Sequence, residues 1–323
     1  MRVSIAQIAP VLLNRDQTLD RVVAAIDSAA GDGSKLVAFG ESLVPGYPCW
    51  LSRLGGARFD DERNKSIHAM YLDQGVEIDG TSGRGHLDGV REACRANAAA
   101  AVVGVAERAR DRGGHSLFCS AVTIAPTGEI ASVHRKLVPT YEERLAWSHG
   151  DGQGLVAHRF LEPFTLGSLN CWENWMPLAR AAMQAQGVDV HVAIWPGGDV
   201  NTRDITRFIA RESRSYVLSA SGLLRAEDVP DELPWKAELL ADDQTAAGGV
   251  MHDGGSAVAG PSGEWIVEPV VGEERIITVE IDHERVRRER QNFDPAGHYS
   301  RPELLSLAVD RRRHRAAAFE DDS

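Results

Sequence analysis

The sequence predicts an α/β fold, a four-layer αββα sandwich of two similar halves with a C-terminal tail. Two observations carry this expectation. Segments that read as strands are followed repeatedly by segments with apolar residues at helical spacing, the order expected of sheets covered by helices. That order also occurs twice, and one segment recurs in its residues. SAVTIAPTGEI (residues 120–130) and SAVAGPSGEWI (residues 256–266) share a Ser-Ala-Val start and a turn of proline, small hydroxyl, glycine and glutamate. No Pro/Gly/Ser-rich linker separates the halves. They are therefore expected to form one domain, residues 1–282, with residues 283–323 as a tail engaged in subunit contacts.

RVSIAQIA alternates like a strand, and Ser4, Gln7 and Pro10 interrupt the apolar run of MRVSIAQIAPVLL, so this start reads as a strand rather than a secretion signal. In NRDQTLDRVVAAIDSAA, residues Leu19, Val22, Val23 and Ile26 fall on one helical face, and Asn14 with Gln17 has the form of a capping box. KLVAFGES (residues 35–42) is short and apolar, like a central strand between helices, and carries Glu41 at its end. HLDGVREACRANAAA reads as a helix and AAVVGVAER as a strand. LFCSAVTIAPTGEIASVHRK reads as a hairpin around Pro126, Thr127 and Gly128, with Lys136 at its exit. The second half repeats the order. A strand leads to Cys171, a helix starts at Pro177, and the strand VDVHVAIWP follows. A helix through RDITRFIARESRS, the strand YVLSASG and the hairpin GGSAVAGPSGEWIVEP complete it. From about Asp282 the pattern stops, and the basic runs beyond it read as a solvated tail.

The balance of 35 Lys and Arg against 47 Asp and Glu gives a formal net charge of −12. Such a charge opposes nonspecific binding to nucleic acid or anionic lipid, so a small molecule is the expected partner. No apolar run approaches the roughly 18 residues of a membrane span. Cys49, Cys94, Cys119 and Cys171 lie far apart, with neither the close pairs of a zinc site nor the density of a disulfide scaffold, and they suit a reducing cytoplasm. His134, His149, His191, His252 and His298 form no compact ligand pattern, so no metal is expected. The glycine-rich GDGQG (residues 150–154) follows no βα turn of the dinucleotide type and reads as a loop, which leaves no expected cofactor.

Three reactive side chains stand where an apolar strand gives way to a loop: Glu41, Lys136 and Cys171. Each also has a plain structural reading, as a cap, a surface cation and a small buried thiol. Read together they suit nucleophilic catalysis. A thiol needs a base to take its proton, and the charge that its attack creates needs a nearby cation or backbone donor.

The residues around these positions resemble the nitrilase branch of the carbon–nitrogen hydrolase superfamily. GESLVPGYPCW, HRKLVPTYEERLAWSHGDG and GSLNCWENWMPLARAAM look like its three blocks around a catalytic glutamate, lysine and cysteine, in the family's order and spacing. The resemblance extends over roughly residues 3 to 310. It implies Glu41 as general base, Lys136 as electrostatic stabiliser and Cys171 as nucleophile. It also implies a positioning role for Glu143 beside the lysine and pocket positions for Tyr47, Trp172 and Trp195. The implied activity is hydrolysis of an organic nitrile to carboxylic acid and ammonia without a cofactor, in a homo-oligomer built from dimers. Two departures are visible: Gly40 stands where the family usually has proline, and Cys119-Ser120 where relatives commonly show Asn-Thr.

Other activities remain open at this point. An amidase or carbamoylase of the same superfamily would use the same residues, although amidase branches more often carry tyrosine after the cysteine, where this chain has Trp172. Cyanide hydrolysis is a narrower variant. A catalytically silent scaffold would show erosion of the site, whereas Glu41, Lys136 and Cys171 are all present.

Overall fold

The computed structural model describes residues 1–78, 85–241 and 250–317 of the chain. Its first half contains the strands β1 (Arg2–Gln7), β2 (Ser34–Phe39), β3 (Ala100–Arg108), β4 (Leu117–Ile124) and β5 (Ile130–Arg135). Among them lie the helices α1 (Arg15–Gly31), α2 (Trp50–Arg53), α3 (Glu62–Asp73) and α4 (Asp88–Asn97). The second half contains β6 (His158–Leu161), β7 (Phe164–Asn170), helix α5 (Pro177–Gln184), β8 (Val190–Trp195) and helix α6 (Asp199–Ser213). It continues through β9 (Tyr216–Ser221), β10 (Leu223–Arg225), helix α7 (Lys236–Leu239), β11 (Val250–Ala259) and β12 (Trp265–Val271). Strand β13 (Arg275–Glu280) and helix α8 (His283–Asn292) follow.

Two sheets result. In the first, the strand order is β13-β1-β2-β3-β4-β5; in the second it is β10-β11-β9-β8-β7-β6, with β12 also paired to β11. The two halves share a pairing plan. β1, β2 and β3 are parallel and β3, β4 and β5 antiparallel, as β7, β8 and β9 are parallel and β9, β11 and β12 antiparallel. β13 returns from the second half to pair antiparallel with β1.

Sequence explains the layers. β3, β7, β8 and β9 are buried almost throughout, as central strands covered on both faces are, and polar residues among them such as Ser168, His191 and Ser219 are buried with their apolar neighbours. Val3, Ile5, Leu36 and Val102 of one sheet meet Leu166, Val192, Ile194 and Leu218 of the other in the central core. Outside the first sheet, Leu19, Val22 and Ile26 of α1 with Val90 and Cys94 of α4 cover Val37, Phe39, Val103 and Val122. Outside the second, Ile205 and Ile209 of α6 cover Ala193 and Val217, while Ala179 and Met183 of α5 cover Leu169. Burying each such Val, Leu or Ile contributes about 1.5–3 kcal/mol before entropy. The arrangement is the expected four-layer αββα sandwich. At the N-terminus of α1, Asn14 Oδ1 accepts from Gln17 N at 3.0 Å, the forward half of the expected capping box.

The segment beyond Asp282 opens with α8, an element the sequence pattern missed. Nine of its ten residues are polar or charged, so only Val286 could signal a buried face, and Val286 is fully buried in the central core. Arg290 Nη1 pairs with Asp189 Oδ1 at 2.8 Å and holds the helix in place. Further on, Arg313 Nη1 reaches Asp151 Oδ1 at 3.0 Å, whereas Tyr299, Leu304 and Leu305 are exposed. Residues 318–323 of the expected tail lie outside the described residues. Among the described residues no helix is long and apolar enough to cross a membrane.

Candidate active site

The residues just past three strand ends meet at one edge of the sandwich. β2 delivers Gly40 and Glu41. A Cβ at Gly40 would lie 2.7 Å from Gly222 N, so at this position, where proline is usual in the family, the chain passes too close to the second half's backbone for a side chain. Gly104 of β3 is under the same constraint, because a Cβ there would stand 2.2 Å from Gly40 O. Glu41 N donates to Trp195 O at 3.0 Å, which fixes the strand end of one half to that of the other.

β5 delivers Lys136, whose Nζ lies 2.9 Å from Glu41 Oε1 and 2.7 Å from Glu143 Oε2, with the Trp147 ring 5.8 Å away. Glu143 stands on a 3-10 turn, Tyr141–Leu145, and also accepts from Thr140 N at 2.6 Å and from Tyr47 Oη at 3.0 Å. Glu41, Lys136 and Glu143 are all buried. Two carboxylates thus bracket one ammonium.

Cys171 follows β7 and begins another 3-10 turn, Cys171–Trp175, before Pro177 opens α5. Its φ is +44°, a left-handed conformation that costs a Cβ-bearing residue of order 1–3 kcal/mol and persists only where the surroundings enforce it. Ser42 and Tyr141, beside Glu41 and Glu143, share this conformation at +45° and +44°. Enforcement at Cys171 comes from buried side chains. Asn174 Nδ2 donates to Cys171 O at 2.9 Å, and Asn174 Oδ1 lies 2.7 Å from His191 Nε2. Burial, with the Arg180 charge, lowers His191 to about 4, so it stays neutral.

Glu173 ties the cysteine turn to the lysine strand. It accepts from Asn170 N at 2.8 Å and Leu137 N at 2.5 Å, and lies 2.9 Å from His134 Nε2. Burial opposes its charge, but His134 and these N–H groups win and hold the carboxyl below its usual range. His134 escaped the sequence reading as a site residue. Strand parity was the available signal, since residues 134 and 136 fall on one face.

One ligand atom from each of Glu41, Glu143 and Cys171 lies within 4.8 Å of the others. Such a trio could hold a cation, and Lys136 Nζ already fills that role between the carboxylates. Burial raises the Glu41 carboxyl to about 7, against the pull of Lys136 and with help from the Glu143 charge. The Lys136 ammonium and the Cys119 thiol both hydrogen-bond to the Glu41 carboxyl and favour its charge, but burial outweighs them. Burial and the Glu41 charge push the Cys171 thiol well above its usual range, so it rests protonated. Burial opposes the Lys136 ammonium, but the acidic groups around it prevail and raise it well above its ordinary value. The site therefore pairs a neutral thiol with a base poised near neutral pH.

A cavity of about 440 Å³ opens beside Cys171 and is also lined by Glu143, Tyr47, Trp172 and His252. Tyr47 and Trp172 are thus both in the wall of this cavity. Trp195 does not line this cavity. Its side chain lies under α6 in one buried cluster with Ile205, Ile209 and Cys171, and its carbonyl holds Glu41 N.

Fold and site together define a class of protein, an αββα sandwich that encloses a thiol beside a lysine bracketed by carboxylates. The carbon–nitrogen hydrolase family model matches residues 2–291, and the chain belongs to that family. Among similar proteins are a nitrilase 2 from an unknown prokaryotic organism, 34% identical over 98% of this chain and 95% of its own, and an aliphatic nitrilase of Rhodococcus rhodochrous, 30% identical over 97% and 80%. A solved structure of an amidase of the nitrilase superfamily from Nesterenkonia, in a cysteine-to-alanine variant, superposes with a TM-score of 0.62 at 19% identity, covering 90% of this chain and 95% of that one. That likeness concerns the fold alone.

Proposed function

We propose that the protein is a nitrilase, which converts an organic nitrile and two waters to a carboxylic acid and ammonia. The observation that carries this reading is the buried Lys136 held between Glu41 and Glu143, beside a strained thiol. Glu41 takes the Cys171 proton as sulfur attacks the nitrile carbon, and the nitrogen gains a proton to give a thioimidate. The first water adds to that carbon, the nitrogen is protonated again, and ammonia leaves a thioester. The second water then releases the acid and restores the thiol. Lys136 and the Trp172 N–H, which hydrogen-bonds to the Cys171 sulfur, stabilise the charge that develops at each addition. Glu143 holds the lysine in register.

Nitrile rather than amide as substrate is supported by the relatives named nitrilases, which align with nearly the whole chain. Ammonia release over a panel of nitriles and their matched amides tests this. Turnover of amides with inert nitriles would make the protein an amidase.

We also propose a cytoplasmic homo-oligomer built from dimers, with the tail in subunit contacts. The exposed Tyr299, Leu304 and Leu305 support this reading as apolar surface that a second copy would cover. Truncation after Phe293 keeps α8 and should lower both assembly size in light scattering and activity. A fully active monomer would refute the proposal.

A further inference from the structure

The wall of the cavity beside Cys171 carries an uneven charge that the proposed chemistry does not use. Glu142, Glu143 and Asp253 line it, and no Lys or Arg does so among the described residues. Glu143 is neutralised by Lys136, but Glu142 and Asp253 form no ion pair among the described residues. Asp253 follows His252 on β11, paired across from Leu223, and its Oδ1 is buried with no hydrogen-bond donor. A buried carboxylate oxygen left in this state is costly, and a positive charge placed against the Asp253 carboxylate from the cavity would offset that cost.

The neighbouring groups do not cancel this charge. His252 packs edge-on against Tyr47 with ring centroids 5.0 Å apart, and burial together with the Arg53 charge lowers it to about 4, so it is neutral at pH 7. Arg53 itself is not among the cavity's lining residues. On the remaining sides the lining is uncharged: Thr140 contributes a hydroxyl, and Trp172, Met251, Pro196, Gly197 and Gly198 are apolar or backbone.

Resting on the nitrilase reading, we propose that Asp253 and Glu142 select substrates whose far end carries a hydrogen-bond donor, an ammonium above all, and reject nitriles that carry a carboxylate. A positively charged donor pairs with the Asp253 carboxylate in the cavity wall and gains from the acidic rim, whereas a carboxylate meets like charge in a confined site.

The test compares an ω-amino nitrile, its hydroxyl and methyl isosteres and an ω-cyano carboxylate of equal length at a pH of about 7. The expected order of kcat/KM is amino, hydroxyl, methyl, carboxylate, with at least about tenfold between amino and methyl. In Asp253→Asn, and more weakly in Glu142→Gln, the amino-to-methyl ratio should shrink at least about threefold. Equal kcat/KM across the series, a preference for the carboxylate, or an unchanged ratio in both variants would overturn the proposal. The matched amides and the protection of Cys171 from iodoacetamide by the same compounds are read in parallel. If only amides turn over, the nitrilase reading fails, and the order among amides decides the charge preference. If neither series turns over, the order of protection decides it.

Discussion

In the first half, β2 hands on to Gly40 and Glu41, and β5 hands on to Lys136. In the second half, β8 and β12, the strands in the same places, hand on to Pro196 and to Gly272. The first strands differ in the opposite sense, because β1 leads to Ile8 and Ala9 whereas β7 leads to Cys171. The sheets match in pairing and direction, so the contrast is confined to residues just beyond the strands. Cores and registers hold the frame, and loop positions at one edge carry the chemistry. One half supplies base and cation, and the other supplies the thiol.

The sharpest way to break this division is Cys171→Ala, which should reduce turnover by at least about a thousandfold while leaving the melting temperature near that of the parent. Iodoacetamide should label Cys171 before Cys49, Cys94 or Cys119, since only Cys171 lines the cavity. An adduct on another cysteine would move the nucleophile elsewhere.

Glu41→Gln comes next. It keeps the shape and loses the basicity, and should cost about a hundredfold or more in kcat. Because the Glu41 carboxyl is raised to about 7 and must be ionised to accept a proton, parent kcat/KM should fall as pH drops through 7. A flat profile from pH 5 to pH 8 would remove Glu41 as the base.

Glu143→Gln should cost tenfold to a thousandfold and release some amide, because Lys136 then holds the charged nitrogen less firmly and the thiolate can leave instead of ammonia. Complete inactivation equal to that of Glu41→Gln would show that the two carboxylates do not divide the work. The mildest test concerns the link between halves. Glu173→Gln retains some hydrogen bonds to Leu137 N and Asn170 N but loses charge against His134. It should lower kcat by about tenfold with little change in KM, and an unchanged kcat would leave Glu173 as structure only.

Much of this was legible in the sequence. The run that became β2 announced itself by its short apolar character, and the hairpin at Pro126, Thr127 and Gly128 by its turn residues. The left-handed turn at Cys171 was not legible, because no glycine marks it and buried Asn174 and His191 enforce it from other elements. α8 hid behind its charge. The reason for glycine before Glu41 was not legible either, because it lies in a close approach to Gly222 of the other half that leaves no room for a side chain.

The return of β13 to the edge of β1, sealed where the Met1 amino group donates to Ile281 O at 2.9 Å, bears on how the chain is made. β1 is synthesised long before its partner strand. At about 5–20 residues per second, a ribosome needs on the order of tens of seconds to reach β13. Throughout that interval a nascent first sheet offers an open row of backbone donors and acceptors, the kind of edge that invites pairing with other chains. Glu41 waits as well, since the Trp195 carbonyl that fixes its N–H comes from the later half. Until β13 arrives, the edge of β1 is one further place where another chain can pair.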